Sequence, residues 1–447
     1  MDRLTRIAFL SEHASPVALL GGEDAGGQNV YVDEVSRNLA KLGYAVDVFT
    51  RRDNPYAPEV IAWTPNVRII HLTAGPATFL PKDDLWMFMP AFRDAFLDFI
   101  ERDETCYDLI HGNFWMSGWV ATELQSRLNI PAVQIFHAMG KTKHKHQGSV
   151  DTSPEDRVGV EVQIIRSVER IIAQCPSEWS ELVDDYGADP ERVVIIPSAV
   201  NTAVFHPVAQ EEACQRIGLT PDAFVVVYVG RMLLRKDVRN VVRGVAQLIQ
   251  QCTSQTAAHG LVFPPIRLLL VGGETTEPDP RVTPEFGVLQ QLVAELGITE
   301  HVVFVGKRQQ DSLHDYYSAG NVAVTTPWYE PFGLTPLEAM ACGRPVIGSA
   351  VGGITYTIAD GETGFLVPPR DPQALADCLY QLLMEPERCL RLGQAARLRV
   401  EREFTWETVA KRTSALYESV LAFHKQRGLA AQSSLFGARD SQPIGEV

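Results

Sequence analysis

Two glutamates in the stretch TTPWYEPFGLTPLEAMACG have a spacing suited to gripping a hydroxylated ligand. Glu330 and Glu338 stand eight residues apart, and a Pro-Phe-Gly turn between them leads into a short predicted helix. A carboxylate accepts hydrogen bonds from two vicinal hydroxyls, as on a sugar ring or a ribose. The amide groups of Gly333 and Leu334, at the start of that helix, suit phosphate oxygens. An ordinary capped helix would need neither the second carboxylate nor the turn.

Two cations in the stretch VGRMLLRKD form a second candidate group. Arg231 and Lys236 follow a predicted strand, and open α/β sheets bind ligands at the carboxyl ends of their strands. Arginine offers bidentate hydrogen bonds and lysine offers a mobile point charge, and both suit a diphosphate. A solvated basic loop is the alternative interpretation.

A glycine-rich loop, GGEDAGGQNVY, occupies residues 21–31 between a predicted strand and a predicted helix. Glycines allow close approach of backbone amides to a phosphate at a helix start. The spacing resembles a P-loop, but Gln28 stands where that loop requires lysine, and the G-x-G-x-x-G pattern is absent. A phosphate-binding loop and a merely flexible loop are both consistent with this pattern.

Strand-like and helix-like segments alternate along most of the chain, which predicts an α/β fold with parallel sheets. One βαβ unit spans residues 6–50, and the same pattern restarts at residue 224. Further strands are predicted at 266–271, 302–305 and 322–325. The candidate residues are therefore expected on two Rossmann-like domains.

The predicted domains are residues 1–203 and 204–403, with a hinge in the polar stretch around Pro207. Residues 404–424 are amphipathic and predict a helix that packs back toward the first domain. Residues 425–447 are polar and aperiodic, which predicts a disordered tail.

Composition excludes several classes of function. The net charge of −15 argues against nucleic-acid binding, because phosphate backbones need a basic surface. Seven scattered cysteines without a C-x-x-C pair argue against a disulfide framework or a zinc site and for a reducing compartment. The chain has no run of about 18 apolar residues to span a bilayer, and its first residues do not form a signal peptide. We expect a cytoplasmic protein without stable membrane insertion.

Taken together, these segments resemble the retaining GT-B glycosyltransferases. The run EPFGLTPLEAMACGRPVI is similar to the paired-glutamate signature of that family, and VGGI and DGETGFLVPP are similar to its continuation. The G-R-x-x-x-x-K spacing that ends at Lys236 resembles its diphosphate-binding element. The resemblance covers about residues 5–420, with the motifs in family order. It implies two Rossmann-like domains whose parallel sheets face each other across a cleft.

The resemblance also implies roles for the residues that hold the donor, a nucleotide sugar. Arg231 and Lys236 correspond to a clamp on the donor diphosphate. Glu330 corresponds to the group that binds the donor sugar, and Glu338 to the group that binds the ribose. The rest of the donor-binding set implied by the resemblance is Phe332, Gly333, Leu334, Gly26 and Gly27.

His137, in IFHAMG, matches the histidine that the family places beside the donor sugar, although a buried, hydrogen-bonded histidine is the alternative. The predicted catalytic residues are thus Arg231, Lys236, Glu330 and His137. The chain lacks an Asp-x-Asp triplet, which fits the metal-independent GT-B class. His144 and His146, with lysines beside them, predict an exposed basic loop, so we predict no metal site and no cofactor.

Two groups within the family share further segments with this chain: the sucrose-phosphate synthases and the inositol-phosphate N-acetylglucosaminyltransferases. Both use phosphorylated acceptors, and the resemblance implies an acceptor site formed by Gln28, Asn29, Lys82, Phe114, Lys143 and Arg157. Phe114 stands where the family often has tyrosine, Ala138 where serine or threonine is common, and Asn201 where aspartate is usual. The first two departures change the hydrogen-bonding groups of the acceptor pocket.

The function we expect is retaining transfer of a hexosyl group from UDP-glucose to fructose 6-phosphate, with a hinge motion about residues 200–208. Transfer of N-acetylglucosamine to inositol phosphate is the alternative within the group. The motifs are also compatible with a sugar-nucleotide epimerase, a phosphorylase or a non-catalytic sugar-nucleotide-binding protein.

Overall fold

The computed structural model describes residues 3–17, 26–148 and 151–437 of the chain. The chain divides into two compact units. The first unit contains Met1–Ala173, Glu181–Ile196 and Ala410–Val447, and the second contains Gln174–Ser180 and Pro197–Val409. Each unit has its own sheet covered by helices, and the strands of both sheets are largely parallel, as the alternating pattern predicts.

The described residues of the first unit form one sheet of eight strands. These are β1 (Arg6–Leu10), β2 (Ala45–Arg51), β3 (Val60–Thr64), β4 (Val67–Leu72), β5 (Leu109–Asn113), β6 (Ala132–Ile135), β7 (Arg170–Ala173) and β8 (Val193–Ile195). The helices are α1 (Gly27–Lys41), α2 (Met89–Arg102), α3 (Phe114–Leu128), α4 (Gly140–Gln147) and α5 (Arg157–Ser167). The spatial order is β3-β4-β2-β1-β5-β6-β7-β8, and only the edge pair β3–β4 is antiparallel among the described strand pairs.

The second unit has a parallel sheet of six strands within the described residues. They are β9 (Phe224–Val229), β10 (Ile266–Val271), β11 (Val302–Gly306), β12 (Val322–Thr325), β13 (Val346–Ser349) and β14 (Gly364–Val367). Its helices are α6 (Pro176–Ser180), α7 (Gln210–Ile217), α8 (Val238–His259), α9 (Pro284–Glu295), α10 (Leu313–Ala319), α11 (Leu334–Ala341), α12 (Ile354–Thr357), α13 (Pro372–Met384) and α14 (Pro386–Glu403). The order β11-β10-β9-β12-β13-β14 is that of a doubly wound nucleotide-binding sheet.

The central strand β9 explains why this sheet needs helices on both faces. All six residues of FVVVYV are buried, and successive side chains of a strand point to opposite faces. Val225, Val227 and Val229 enter one core, and Phe224, Val226 and Tyr228 enter the other. A continuous apolar strand of this kind is typical of a parallel sheet buried on both faces.

The last helix, α15 (Trp406–Gly437), runs beyond the helix predicted at 404–424 and into the segment for which we predict disorder. Residues 438–447 of that segment lie outside the described residues. From Ala410 the chain belongs to the first unit, where Ser414 Oγ is 2.9 Å from Tyr44 Oη and Tyr417 Oη is 2.5 Å from His111 Nδ1.

The predicted basic loop at His144 is wrong, because this residue lies in α4, and its side chain is 74% exposed. Lysine and glutamine favour helices, and α4 has too few apolar residues for a helical period to be visible. No helix in the described ranges has the length and apolar character that crossing a bilayer requires.

Candidate active site

The carboxyl ends of β9 and β12 lie side by side, because these strands are neighbours in the second sheet. The strand order reverses at this point, and such a point is where open α/β sheets bind ligands. The loop after β9 carries Arg231 and ends in a 3-10 turn at Leu234–Lys236. The loop after β12 carries Trp328 and Glu330, and Trp328 N donates to Arg235 O at 2.9 Å. One backbone hydrogen bond thus joins the two loops that hold the predicted donor residues.

The predicted cation and the predicted carboxylate are in direct contact. Lys236 Nζ hydrogen-bonds to Glu330 Oε2, and Arg235 Nη1 lies 3.5 Å from the same oxygen. Arg231 is exposed at the start of this loop. We call Arg231, Arg235, Lys236 and Glu330 the second-unit cluster. Three cations with one carboxylate leave positive charge in excess, which suits an anionic ligand.

Lys236 and Glu330 are largely removed from solvent, since each side chain is 13% exposed. Burial acts to raise the pKa of Glu330, but the charges of Lys236 and Arg235 outweigh it, so this pKa lies below its ordinary value. Burial lowers the pKa of Lys236, and the carboxylate of Glu330 opposes that change. Glu330 is therefore an anion at neutral pH that orients both cations.

The backbone around Glu330 is held by glycines. Gly333 has a φ of +87°, and a Cβ there would lie 3.2 Å from Glu330 Cγ. In the VGGI segment, a Cβ on Gly352 would lie 2.0 Å from Glu330 O, and one on Gly353 would lie 2.4 Å from Phe332 Cα. Gly353 N donates to Glu330 O at 3.1 Å. This close approach of two backbones explains why glycines follow the paired glutamates.

Glu338 has a different environment, on α11. Its Oε2 accepts a hydrogen bond from Tyr317 Oη at 2.8 Å. Burial raises the pKa of Glu338 to about 7, although the bond from Tyr317 and the charge of Lys236 oppose the change. Phe332 is buried in the core, and Leu334 begins α11. Of the two glutamates, Glu330 is thus paired with cations, whereas Glu338 is close to half-protonated at neutral pH.

In the first unit, His137 follows β6 and has a φ of +60°. Its Nε2 is 3.1 Å from Asn113 Oδ1, and its ring meets that of Tyr31 edge-on at 4.9 Å. Burial lowers the pKa of His137 to about 3, and nearby His13 contributes a smaller part. The ring is therefore neutral and donates from Nε2, so Nδ1 is its acceptor atom.

The described end of the glycine-rich loop is tied to the segment that follows β1. Gly26 N donates to Asn29 Oδ1 at 3.1 Å, and Gly27 begins α1. Gln28 Nε2 donates to Ser11 Oγ at 3.2 Å, and the Asn29 amide donates to a backbone carbonyl of the same segment. Residues 21–25 of the loop lie outside the described residues, and the phosphate contacts of Gly26 and Gly27 stay predictions.

Lys143, one of the predicted acceptor cations, contacts two carboxylates. Its Nζ is 3.0 Å from Asp151 Oδ1, 3.6 Å from Asp83 Oδ2 and 2.8 Å from Ser153 Oγ. The predicted cation Lys82 lies beside Asp83 in a 3-10 turn. The charge of Lys143 is therefore already balanced by carboxylates of the chain.

Arg157 is buried, and its charge is balanced as well. Its Nε donates to Glu161 Oε1 at 2.9 Å, and its Nη1 donates to Ser153 Oγ at 3.1 Å. Its guanidinium lies over the Phe114 ring at 5.1 Å. Ser153 Oγ thus contacts two of the three predicted acceptor cations, Lys143 and Arg157. We call Lys143, Arg157, Asp83, Asp151 and Glu161 the first-unit cluster.

Sequence reasoning missed Arg235 and Tyr317 of these sites, and also Glu12 and His13, which follow β1 and contact each other at 2.7 Å. Arg235 stands within the quoted VGRMLLRKD stretch, and Glu12 and His13 follow the first strand of their unit as Arg231 follows β9. Position after a central strand was thus an available signal for three of them. Tyr317 gave no such signal, because its contact with Glu338 depends on the packing of α10 on α11.

Two family models match the chain. The model described as glycosyl transferases group 1 matches residues 209–399, and the model described as glycosyltransferase family 4 matches residues 25–204. The D-inositol 3-phosphate glycosyltransferase of Corynebacterium efficiens is 32% identical over 97% of this chain and 99% of its own length. The D-inositol 3-phosphate glycosyltransferase 2 of Catenulispora acidiphila is 36% identical over 92% of this chain and 94% of its own.

Solved structures give the same assignment. The sucrose-phosphate synthase of Thermosynechococcus elongatus is 36% identical, covers 94% of this chain and 99% of its own, and superposes with a TM-score of 0.81. The Anabaena protein HepE, solved in complex with UDP, is 19% identical with a TM-score of 0.72 over 93% of this chain and all of its own, which supports the fold alone. With whole-length relatives above 30% identity, this chain belongs to the GT-B glycosyltransferases with family 4 and group 1 domains.

Proposed function

We propose that this glycosyltransferase moves a glucosyl group from UDP-glucose to fructose 6-phosphate, with retention at the anomeric carbon, to yield sucrose 6-phosphate. The observation that carries the donor half of the proposal is the second-unit cluster. Its three cations and one carboxylate lie at the strand-order reversal of a doubly wound sheet, where a nucleotide diphosphate is the expected ligand.

The donor roles in this proposal are those that the family resemblance implies, and the environments of the side chains support them. Arg231 and Lys236 bind the diphosphate and stabilise the negative charge that grows on it as the bond to the anomeric carbon breaks. Glu330 accepts hydrogen bonds from sugar hydroxyls through its remaining lone pairs, and Glu338 accepts them from the ribose.

In the same step, the acceptor hydroxyl forms the new bond to the anomeric carbon from the side that the diphosphate leaves. Its proton passes to the departing phosphate oxygen, so charge and atoms balance without a covalent enzyme intermediate. The family resemblance implies that His137 lies beside the donor sugar, and in that role it is a neutral hydrogen-bonding group, since burial lowers its pKa to about 3.

The acceptor half of the proposal rests on likeness and on placement. The sucrose-phosphate synthase structure is 36% identical to this chain. In the first unit, Lys143 and Arg157 converge on one hydroxyl oxygen, that of Ser153. In our proposal, a phosphate oxygen of the acceptor takes the place of that hydroxyl as the partner of Lys143 and Arg157.

A second candidate is transfer of N-acetylglucosamine to inositol phosphate. It is favoured by the curated relatives named D-inositol 3-phosphate glycosyltransferase, which match the chain at similar identity. Both candidates share a phosphorylated acceptor, so they differ in the sugar that is moved and in the ring that receives it.

A donor-by-acceptor turnover screen distinguishes the candidates. UDP-glucose, UDP-N-acetylglucosamine, ADP-glucose and GDP-mannose are each incubated with fructose 6-phosphate, inositol 3-phosphate and fructose, and nucleotide release is measured with and without a chelator. We expect UDP-glucose with fructose 6-phosphate to turn over fastest and to be insensitive to the chelator. NMR of the product should show the α-anomer of glucose. An inverted linkage, or turnover with the donor alone, would contradict the proposal.

A further inference from the structure

Glu12 is a buried carboxylate in the segment that follows β1. Its side chain is 0% exposed, and Lys and Arg side chains of the described residues form no ion pair with it. Oε1 contacts His13 Nδ1 at 2.7 Å, and Oε2 accepts a hydrogen bond from Ser117 Oγ on α3. Burying a carboxylate without a Lys or Arg partner is costly, so the contacts with His13 and Ser117 have to offset that cost.

The contact assigns the tautomer of His13. A carboxylate oxygen can only accept a hydrogen bond, so Nδ1 must carry the proton. In the neutral ring, Nε2 is then an acceptor, and among the described residues it has no hydrogen-bond partner. The side chain is 10% exposed, and its hydrogen bond to Glu12 uses Nδ1, which leaves Nε2 as the ring nitrogen for a ligand.

His13 lies next to residues already placed in the acceptor site. Its ring meets Phe114 edge-on at 5.0 Å, and the guanidinium of Arg157 lies 5.1 Å from the same phenyl ring. A single phenyl ring therefore links His13 to the cation expected to bind the acceptor phosphate. His13 is also close enough to His137 to contribute to the lowering of its pKa.

We propose that His13 accepts a hydrogen bond from a hydroxyl of the acceptor through Nε2, and that Glu12 is a positioning residue that fixes the tautomer and orientation of His13. This inference rests on the proposed transfer to a phosphorylated acceptor. It explains how a pocket with Phe114 in place of a hydroxyl-bearing tyrosine still offers a polar group to the acceptor ring.

The test is a double-mutant cycle on the full-length enzyme with UDP-glucose and fructose 6-phosphate. His13→Ala should raise the acceptor KM about tenfold, the worth of about one hydrogen bond, and leave the donor KM unchanged. Glu12→Ala should have a similar effect in the wild type and almost none in the His13→Ala background, because Glu12 acts through His13. Glu12→Gln should restore most of the affinity, since its amide oxygen still accepts from Nδ1.

The control is His71→Ala, which removes a buried histidine on β4 whose Nδ1 contacts Pro58 O at 2.8 Å. It should leave both KM values unchanged. If the effects of Glu12→Ala and His13→Ala add, Glu12 has only a structural role and the inference is overturned. If wild-type enzyme turns over but His13→Ala leaves the acceptor KM unchanged, the inference fails and the proposed function stands. Absence of turnover with every phosphorylated acceptor would instead reject the proposed function.

If Glu12→Ala does not fold, histidine ¹⁵N NMR of the wild-type protein tests the same inference. We expect the His13 signals to report a protonated Nδ1 and a bare Nε2. Addition of fructose 6-phosphate with UDP should shift the Nε2 signal. A protonated Nε2, or no shift on saturation, would overturn the inference.

Discussion

In the second-unit cluster Lys236 and Arg235 contact a single carboxylate and Arg231 adds a third cation, whereas in the first-unit cluster two cations contact three carboxylates. The second-unit cluster therefore presents excess positive charge to a ligand. The first-unit cluster is already neutralised within the chain, and a ligand phosphate must compete with its carboxylates. Under the proposed function, the comparison predicts that the two substrates are bound in different ways.

Burial strengthens the difference. Glu330 is largely buried, with 13% of its side chain exposed. It stays ionised because the charges of Lys236 and Arg235 outweigh the effect of burial on its pKa. Its charge orients the cations without cancelling them. In the first unit, Glu161 is fully buried and contacts Arg157 directly, so it balances the charge of this arginine. A cation paired in this way gives a ligand oriented hydrogen-bond donors more than net positive charge.

Removing the second-unit lysine is expected to have the largest effect. Lys236→Ala should lower kcat about 10³-fold, because a preorganised cation at the leaving diphosphate is lost. The matched control is Arg243→Ala, which removes an exposed cation from α8. Steady-state turnover of both variants, with circular dichroism to verify folding, checks this. Near-normal turnover of Lys236→Ala would remove the distinction between the clusters.

Donor affinity should depend on pH through Glu338. Because burial raises its pKa to about 7, the ionised form that accepts ribose hydrogen bonds predominates above pH 7 and is lost below it. Binding of UDP-glucose should therefore weaken about tenfold between pH 8 and pH 6. Calorimetric titration of wild type and Glu338→Gln checks this, and the variant should bind weakly at both pH values. A wild-type affinity independent of pH would contradict the assignment of Glu338 to the ribose.

The smallest expected effect tests the competition in the first-unit cluster. Asp151→Asn removes a carboxylate from Lys143 and should lower the KM for fructose 6-phosphate about fivefold, the worth of a modest ion pair. Initial rates over a range of acceptor concentrations measure this. The control is Glu155→Gln, which removes an exposed carboxylate of the same segment that has no ion pair among the described residues. It should leave the KM for fructose 6-phosphate unchanged. A raised KM in Asp151→Asn would mean that Asp151 helps to bind the acceptor.

Much of the fold could be predicted from the sequence, because its strands are short apolar runs that alternate with helical periods. The strands at 224–229, 266–271 and 322–325 are present at those residues. The contact between Lys236 and Glu330 could not be predicted from periodicity, since the two residues are 94 positions apart. The contact forms because β12 pairs with β9, and the periodicity of the sequence does not reveal the order of the strands in the sheet.

The charge balance of the first-unit cluster was also beyond sequence reasoning. Lys143 and Arg157 could be singled out as cations, but Asp83, Asp151 and Glu161 come from three separate segments. Only their packing shows that the cations are neutralised. The sequence therefore indicated which residues are charged, and the structure supplied which charges remain for a ligand.

Calorimetric titration of UDP into wild type, Lys236→Ala and Lys143→Ala tests the division of roles between the clusters most directly. We predict that Lys236→Ala weakens UDP binding at least tenfold, because a diphosphate contact is lost, and that Lys143→Ala leaves it unchanged. Equal weakening by both substitutions, or unchanged binding in Lys236→Ala, would contradict the account that the second-unit cluster holds the donor diphosphate and the first-unit cluster does not.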